Sequence, residues 1–313
     1  MTTEVKMPVK RKLTPKEYVK LQGTLIGRNW DKYVMLAPFF IIFTIFTVIP
    51  VAAAIVLSFT NYNMVQTPGL VGFDNYIRLL LSDTIFPKAI KNTLVFAVIT
   101  GPLSYFACLM LAWFVNELGP KLRTLMTLMF YAPSISGSLY MIWSLIFSGD
   151  MYGWANGLLM SWGLIDEPIL WLSDPQYNLT IIMVVQVWAS LGTGFLAFVA
   201  GFQNVDTSLY EAGAVDGVSN RWQELLHITL PSMGPQLLFG AVMQIASSFA
   251  AGDICVAFAG NPSTDYSAAT ILTHIYDVSG RYEMGYACAI STVLFVLMIF
   301  ANVGVRKVLQ KYL

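Results

Sequence analysis

Six stretches of this chain are apolar for about the length of a membrane crossing. They cover residues 33–59, 92–115, 125–147, 179–202, 234–259 and 286–305. A helix rises 1.5 Å per residue, so about 20 apolar residues cross a hydrocarbon core some 30 Å thick. No Lys or Arg falls inside any of the six. Neither strand alternation nor an internal repeat competes with this pattern. It predicts an all-α fold: a polytopic membrane bundle of six transmembrane helices. A tail at 1–32 precedes the transmembrane region at 33–306, and residues 307–313 form a short C-terminal tail.

Composition agrees. Hydrophobic residues make up 56% of the 313, charged residues only 12%, and the mean hydropathy is +0.63. A soluble domain carries about 25% charged residues. A globule this poor in charge has too few polar groups to cover its surface, and a basic nucleic-acid surface is equally excluded. Eighteen Lys and Arg balance eighteen Asp and Glu. Their placement is uneven. Fourteen basic residues, from Lys6 to Lys32, at Lys121, Arg123 and Arg221, and from Arg306 to Lys311, fall on one side. Arg78, Lys88, Lys91 and Arg281 fall on the other, and residues 149–178 contain no Lys or Arg. The positive-inside rule then predicts cytoplasmic N- and C-termini. The first apolar run is too long for a signal-peptide core of roughly 7–15 residues, so the basic tail reads as an anchor against anionic lipid.

Catalytic signatures are missing. Cys108, Cys255 and Cys288 fall in apolar stretches and form no Cys-x-x-Cys pair, and His227 and His274 have no ligand-spaced neighbours. No Gly-Lys dipeptide occurs, hence no phosphate loop for ATP. Asp253 is the one carboxylate near a span interior. These features predict no enzyme activity, no metal and no cofactor held by this chain.

The loop at 204–232 is the most informative polar segment. Ser208 with Glu211 has capping-box spacing and predicts a short helix over 209–215. Asp216-Gly217 stops it, since Gly tolerates a left-handed cap. Ser219 or Asn220 caps a second short helix to about His227, and Pro231 opens the fifth span. Ala212, Gly213 and Ala214 leave room for close approach by another surface.

This loop resembles the EAA loop of bacterial and archaeal ABC importer permeases, which is patterned Glu-Ala-Ala, three residues, Gly, then Ile-x-Leu-Pro. Glu211, Ala212, Gly213, Gly217, Ile228, Leu230 and Pro231 match it. Gly213 replaces the third small residue, and the gap from Gly217 to Ile228 is one residue longer than the pattern. Further matches to the carbohydrate branch are Val-Gly-Phe-Asp-Asn-Tyr from Val71, Asn92-Thr93, Tyr152-Gly153 with Asn156, the stretch from Trp171 to Pro175, Gly260-Asn261-Pro262, and Met284-Gly285-Tyr286.

The resemblance implies a plasma-membrane permease subunit of an ATP-driven, binding-protein-dependent importer for sugars or oligosaccharides. Its expected partners are a second permease subunit in a heterodimer, two cytoplasmic ATP-binding subunits that bind and hydrolyse the ATP, and an extracytoplasmic solute-binding protein. It assigns ATPase coupling to Glu211, Ala212, Gly213, Asp216, Gly217, Leu230 and Pro231. Pathway candidates follow from polar residues at helical spacing. Gln186, Trp188 and Ser190 lie in the fourth span; Gln244 and Ser247 lie in the fifth, leading to Asp253. Polar side chains in spans either face a cavity or tie helices together. Pro133 is expected to break or kink the third span. The alternatives are an importer for glycerol phosphate or another small polar solute, and an ion-gradient-driven secondary transporter.

Overall fold

The computed structural model describes residues 29–135 and 139–312. Among these residues the regular structure is helical; the single antiparallel bridge joins Thr60 to Leu70. The basic tail falls almost wholly outside them, from residue 1 to 28. Two units divide after Ala53.

Helix α1 (Trp30–Leu57) is the first span. It contains a π-helical turn, Thr44–Val48, in which the Ile49 N–H reaches back five residues to the Thr44 carbonyl. The cause is two residues away. Pro50 has no N–H, and its ring clashes with the carbonyl four residues earlier, so the helix widens just before it.

The second unit begins its helices outside the spans with α2 (Asp74–Ile77), followed by a π turn at Arg78–Ser82. Helix α3 (Phe86–Asn116) is its central rod, running through or beside three hydrophobic clusters. Helices α4 (Pro120–Ile135) and α5 (Leu139–Ile146) occupy the third expected span. At 16 and 8 residues, neither has the length of a crossing. Residues 136–138, where any junction between them falls, lie outside the described residues. Among the described residues, five helices are long and apolar enough to cross a membrane, against six expected. A short helix, α6 (Trp154–Ser161), follows.

The fourth and fifth spans, expected as continuous rods, are both interrupted. The fourth is α7 (Asn178–Ala189) and α8 (Thr193–Gln203), parted at residues 190–192. Gly192 allows the close approach there: a Cβ on it would sit 2.8 Å from the Ser134 Cβ. Two short helices of the polar loop, α9 (Thr207–Val215) and α10 (Arg221–Glu224), come next. The fifth span is α11 (Gly234–Phe249) and α12 (Gly252–Ala259), parted at Ala250 and Ala251. Helix α13 (Ile271–Gly280) carries a capping box built by Thr270 and Thr273. Helix α14 (Met284–Tyr312) is the last span, and residues 307–312 continue it.

Helix α8 and helix α11 flank α3. Phe195 and Phe198 are fully buried, and a Cβ on Gly240 would come within 2.4 Å of the Phe198 ring. Helices in lipid gain little from hiding apolar surface, so such close packing supplies dispersion energy instead.

A polar knot ties α3, α13 and α14 together. Asp83 Oδ1 accepts from the Ile85 and Phe86 N–H groups at 2.8 and 2.9 Å, capping the start of α3. Its Oδ2 accepts from His274 Nε2 at 2.8 Å and from the Tyr286 hydroxyl. Arg78 lies 4.2 Å over the Tyr286 ring and pairs with Glu283. The sequence reading left His274 without a neighbour; its partner is 191 residues away. Burial raises the Asp83 carboxyl, but the hydrogen bonds from Tyr286, Phe86, His274 and Ile85 outweigh it and hold the group below its ordinary value. Stability from such a group is present above its unfolded-state pKa and is lost as pH falls through the lower folded value. Asp83→Asn is expected to cost roughly 1.5–3 kcal/mol at neutral pH, the range for bonds to a charged group. Thermal unfolding of both proteins should show the gap narrowing as pH drops below the carboxylate range; a constant gap refutes the charge-dependent role.

Candidate functional site

Two neighbouring places gather the residues singled out above: the polar loop at 204–232, and the crossing of the two interrupted spans.

The loop folds as two short helices, with one change from expectation. Asp206, not Ser208, caps α9, accepting from the Ser208 N–H at 3.0 Å. The aspartate stands two residues before Ser208, immediately ahead of the helix, and its carboxylate favours the helix N-terminus. Those hydrogen bonds hold the exposed Asp206 carboxyl below its usual range. Asp216 is the C-cap, and Gly217 follows with φ +95°. Asn220 caps α10, accepting from the Gln223 N–H at 2.9 Å.

Beyond α10 the chain makes a π turn, Leu225–Thr229, closed by the Leu230 N–H on the Leu225 carbonyl. Pro231 stands just after it, as Pro50 stands after the first π turn. Pro231 therefore shapes the loop's exit, while the fifth span starts at Gly234 with Pro235 in its first turn.

Gly213 is buried under Ile228; a Cβ there would meet the Ile228 Cδ1 at 2.5 Å. Two motif positions thus pack on each other inside the loop. Glu211, Ala212, Asp216, Gly217 and Pro231 are exposed, and Leu230 packs on the cluster around α3. Tyr210 and Thr229 share a hydroxyl hydrogen bond at 2.9 Å, and Thr229 also donates to the Glu224 carbonyl. The loop meets α3 through Trp222, whose ring lies 4.6 Å from that of Trp113, and through Arg221, which pairs with Glu224 at 2.7 Å and Glu117 at 3.6 Å. A cavity of about 590 Å³ lies under the loop, lined by Trp113, Arg123, Tyr210 and Arg221 among others. Arg123 caps α3 by donating to the Asn116 and Leu118 carbonyls at 2.6 and 3.2 Å.

At the crossing, two glutamines reach in opposite directions. Gln186 on α7 donates to the Ser247 hydroxyl on α11 at 3.0 Å. Gln244 on α11 donates to the Ser190 carbonyl at 3.3 Å and lies 3.3 Å from the Cys108 sulfur. Both amides are buried, while Ser190 and Ser247 are half-buried. Trp188, also half-buried, packs edge-on against Trp143, with centroids 5.3 Å apart. Asp253 stands apart in the first turn of α12, exposed, and accepts from the Tyr276 hydroxyl at 2.9 Å. Sequence reasoning missed the knot at Asp83, the Trp113–Trp222 contact and the Tyr210–Thr229 bond. All three join residues distant along the chain, and no local spacing signals them.

Among the described residues, five apolar crossing-length helices, two of them interrupted, and a folded polar loop between those two define a polytopic membrane bundle. The family described as binding-protein-dependent transport system inner membrane component matches residues 104–310, and the chain belongs to it. The probable ABC transporter permease protein YesP of Bacillus subtilis is 34% identical, covering 86% of this chain and 87% of that one. The lactose transport system permease protein LacF of Rhizobium radiobacter is 30% identical, covering 90% and 92%. A crystal structure of a bacterial alginate ABC transporter, in complex with alginate pentasaccharide-bound periplasmic protein, superposes with a TM-score of 0.71 at 27% identity. The match covers 91% of this chain and 97% of that one. The chain is thus a membrane-embedded permease of a binding-protein-dependent system.

The packing of Gly213 and the left-handed Gly217 set an order of tolerance. Gly213→Ala displaces only the tip of Ile228, whereas Gly213→Leu overpacks the loop at a cost of about 1–3 kcal/mol. Gly217→Ala is expected to cost about 1 kcal/mol for the forced left-handed residue. Thermal unfolding of the purified protein checks this; Gly213→Leu matching the parent sinks the packing argument.

Proposed function

We propose that this chain is the permease subunit of an ATP-driven importer for sugars or oligosaccharides, and that the loop at 204–232 is its contact with cytoplasmic ATP-binding subunits. The observation that carries the coupling reading is the loop itself. It is a folded helix-turn-helix whose internal face is filled by Gly213 and Ile228 and whose outward face presents Glu211, Ala212 and Asp216. An exposed carboxylate and a small neighbour suit insertion into a groove with donor groups. ATP-driven movement of the partner would reach the bundle through Leu230 and the Trp222–Trp113 contact. Both termini are then cytoplasmic, and a solute-binding protein delivers cargo on the far side.

The sugar reading draws on relatives named for lactose and alginate transport. Heterodimeric pairing with a second permease follows the resemblance to the carbohydrate branch. An importer for glycerol phosphate or another small polar solute is the alternative; the absence of Lys and Arg from the six apolar stretches favours neutral cargo. Membership of a binding-protein-dependent family supports ATP drive over a secondary transporter run on an ion gradient.

In proteoliposomes holding the assembled transporter and its binding protein, uptake should stop when the ATP-binding subunits are left out. Uptake driven by an ion gradient alone overturns the proposal. Glu211→Ala or Gly217→Pro should uncouple ATP hydrolysis from uptake with binding-protein affinity unchanged; normal coupled uptake in both refutes the lever role.

Gln244→Ala separates two readings of the crossing. As part of the solute pathway, Gln244 should set transport rate or sugar preference. As a tie between helices, its loss removes the one amide bond from α11 to the Ser190 carbonyl, which keeps the Gly192 N–H at 2.8 Å, and costs roughly 0.5–1.5 kcal/mol. A lowered unfolding temperature with unchanged uptake of every tested sugar removes Gln244 from the pathway.

A further inference from the structure

Helix α6 turns large apolar side chains outward as well as inward, so it is not built as a water-exposed element. Its inward face carries Asn156, fully buried, and its outward face carries Trp154, Leu158 and Trp162 at helical spacing of four. Trp154 is 80% exposed and Trp162 65%; Tyr152 and Met151 before them and Leu164 after extend the same surface. Isolated exposed apolar residues need no explanation, but a contiguous stripe holding two indoles marks a surface that is covered in use.

The stripe's position is fixed by Asn156. Its amide donates to the Ser148, Asp150 and Ile169 carbonyls at 3.1, 3.1 and 3.0 Å. Its oxygen accepts from the Ile169 N–H at 3.1 Å and from the Trp171 indole at 2.8 Å. Trp171 in turn packs on Tyr177, 5.6 Å between centroids, and Tyr177 is the residue that precedes α7. Five hydrogen bonds therefore hold α6 beside the start of the span at 178–203, the level at which a chain leaves water for hydrocarbon.

We propose that the Trp154–Leu158–Trp162 stripe lies in the lipid headgroup and upper acyl region, anchoring α6 to the membrane surface at the mouth of that span. Indole rings with an apolar body and one N–H donor favour this boundary. Through Asn156, Trp171 and Tyr177 the stripe stands beside the N-terminal end of the span at 178–203. It also offers no charge, whereas interfaces with soluble partners are about as polar as the rest of a protein surface.

The test uses the full chain in its assembled transporter, in nanodiscs of phosphatidylethanolamine and phosphatidylglycerol. A nitroxide is placed by Leu158→Cys, with Ser173→Cys as an exposed control; the unsubstituted chain, whose Cys108 and Cys255 are buried, supplies the background. Power saturation should show the label at 158 colliding several-fold more with oxygen than with a water-soluble nickel chelate. The control should show the reverse, and loaded binding protein should change neither. Dominant nickel collisions at 158 overturn the proposal. So does loss of access to both reagents, in the assembled transporter or when binding protein is added, since a protein partner then covers the stripe. A second measurement avoids labelling. Shallowly brominated lipid should quench a smaller share of tryptophan fluorescence in the W154F/W162F double variant than in the parent; an equal share counts against the proposal.

Discussion

Inside hydrocarbon there is no water to satisfy a backbone N–H or C=O, so each departure from a regular helix must bring its own partner. Most of the irregular features of this chain follow from that constraint. Pro50, inside the first span, removes a donor, and it is preceded by a π turn whose closing bond runs five residues back. The fourth span opens at 190–192, and the Ser190 carbonyl freed there is met by Gln244 from the neighbouring helix. The end of α3 is closed by Arg123 reaching back over two carbonyls. The long helices are ordinary by comparison.

The same constraint explains why the polar residues of the bundle are few and shared. Gln186 and Gln244 each cross from one interrupted span to the other, so the two interruptions are held against each other. Outside the spans the pattern repeats on a larger scale, where one carboxylate, Asp83, caps α3 and binds side chains from α13 and α14. Few polar groups, each with several partners, place the rigid points at helix ends and breaks. The segments between are free to pack by shape alone, as Gly240 does under Phe198.

Much of this was legible in the sequence. The apolar runs gave the helical class and the approximate spans, because length and hydropathy are read residue by residue. The loop's two helices were legible through Gly217 and Asn220, which act on their immediate neighbours. Asp206 was not, since Ser208 and Glu211 offered an equally good local cap and the choice depends on where the preceding span ends. The interruptions were hidden for a related reason. Ala250, Ala251 and Gly192 fit an apolar helix well in composition, and only the bonds from residues more than 50 positions away make a break tolerable. His274 and Asp83 look unrelated in the sequence because their meeting is a property of the assembled fold.

The π turn at Leu225–Thr229 has a consequence for the loop's spacing. A turn closed over five residues holds about one residue more than the α turn it replaces. The loop is one residue longer between Gly217 and Ile228 than the pattern it resembles, and the wide turn has the capacity to take up that surplus. In that arrangement Ile228 still covers Gly213, and Leu230 still reaches the bundle. The contacts between loop and span are thereby kept despite the extra residue, much as a slack link lets a chain be cut one unit long without shifting what it joins.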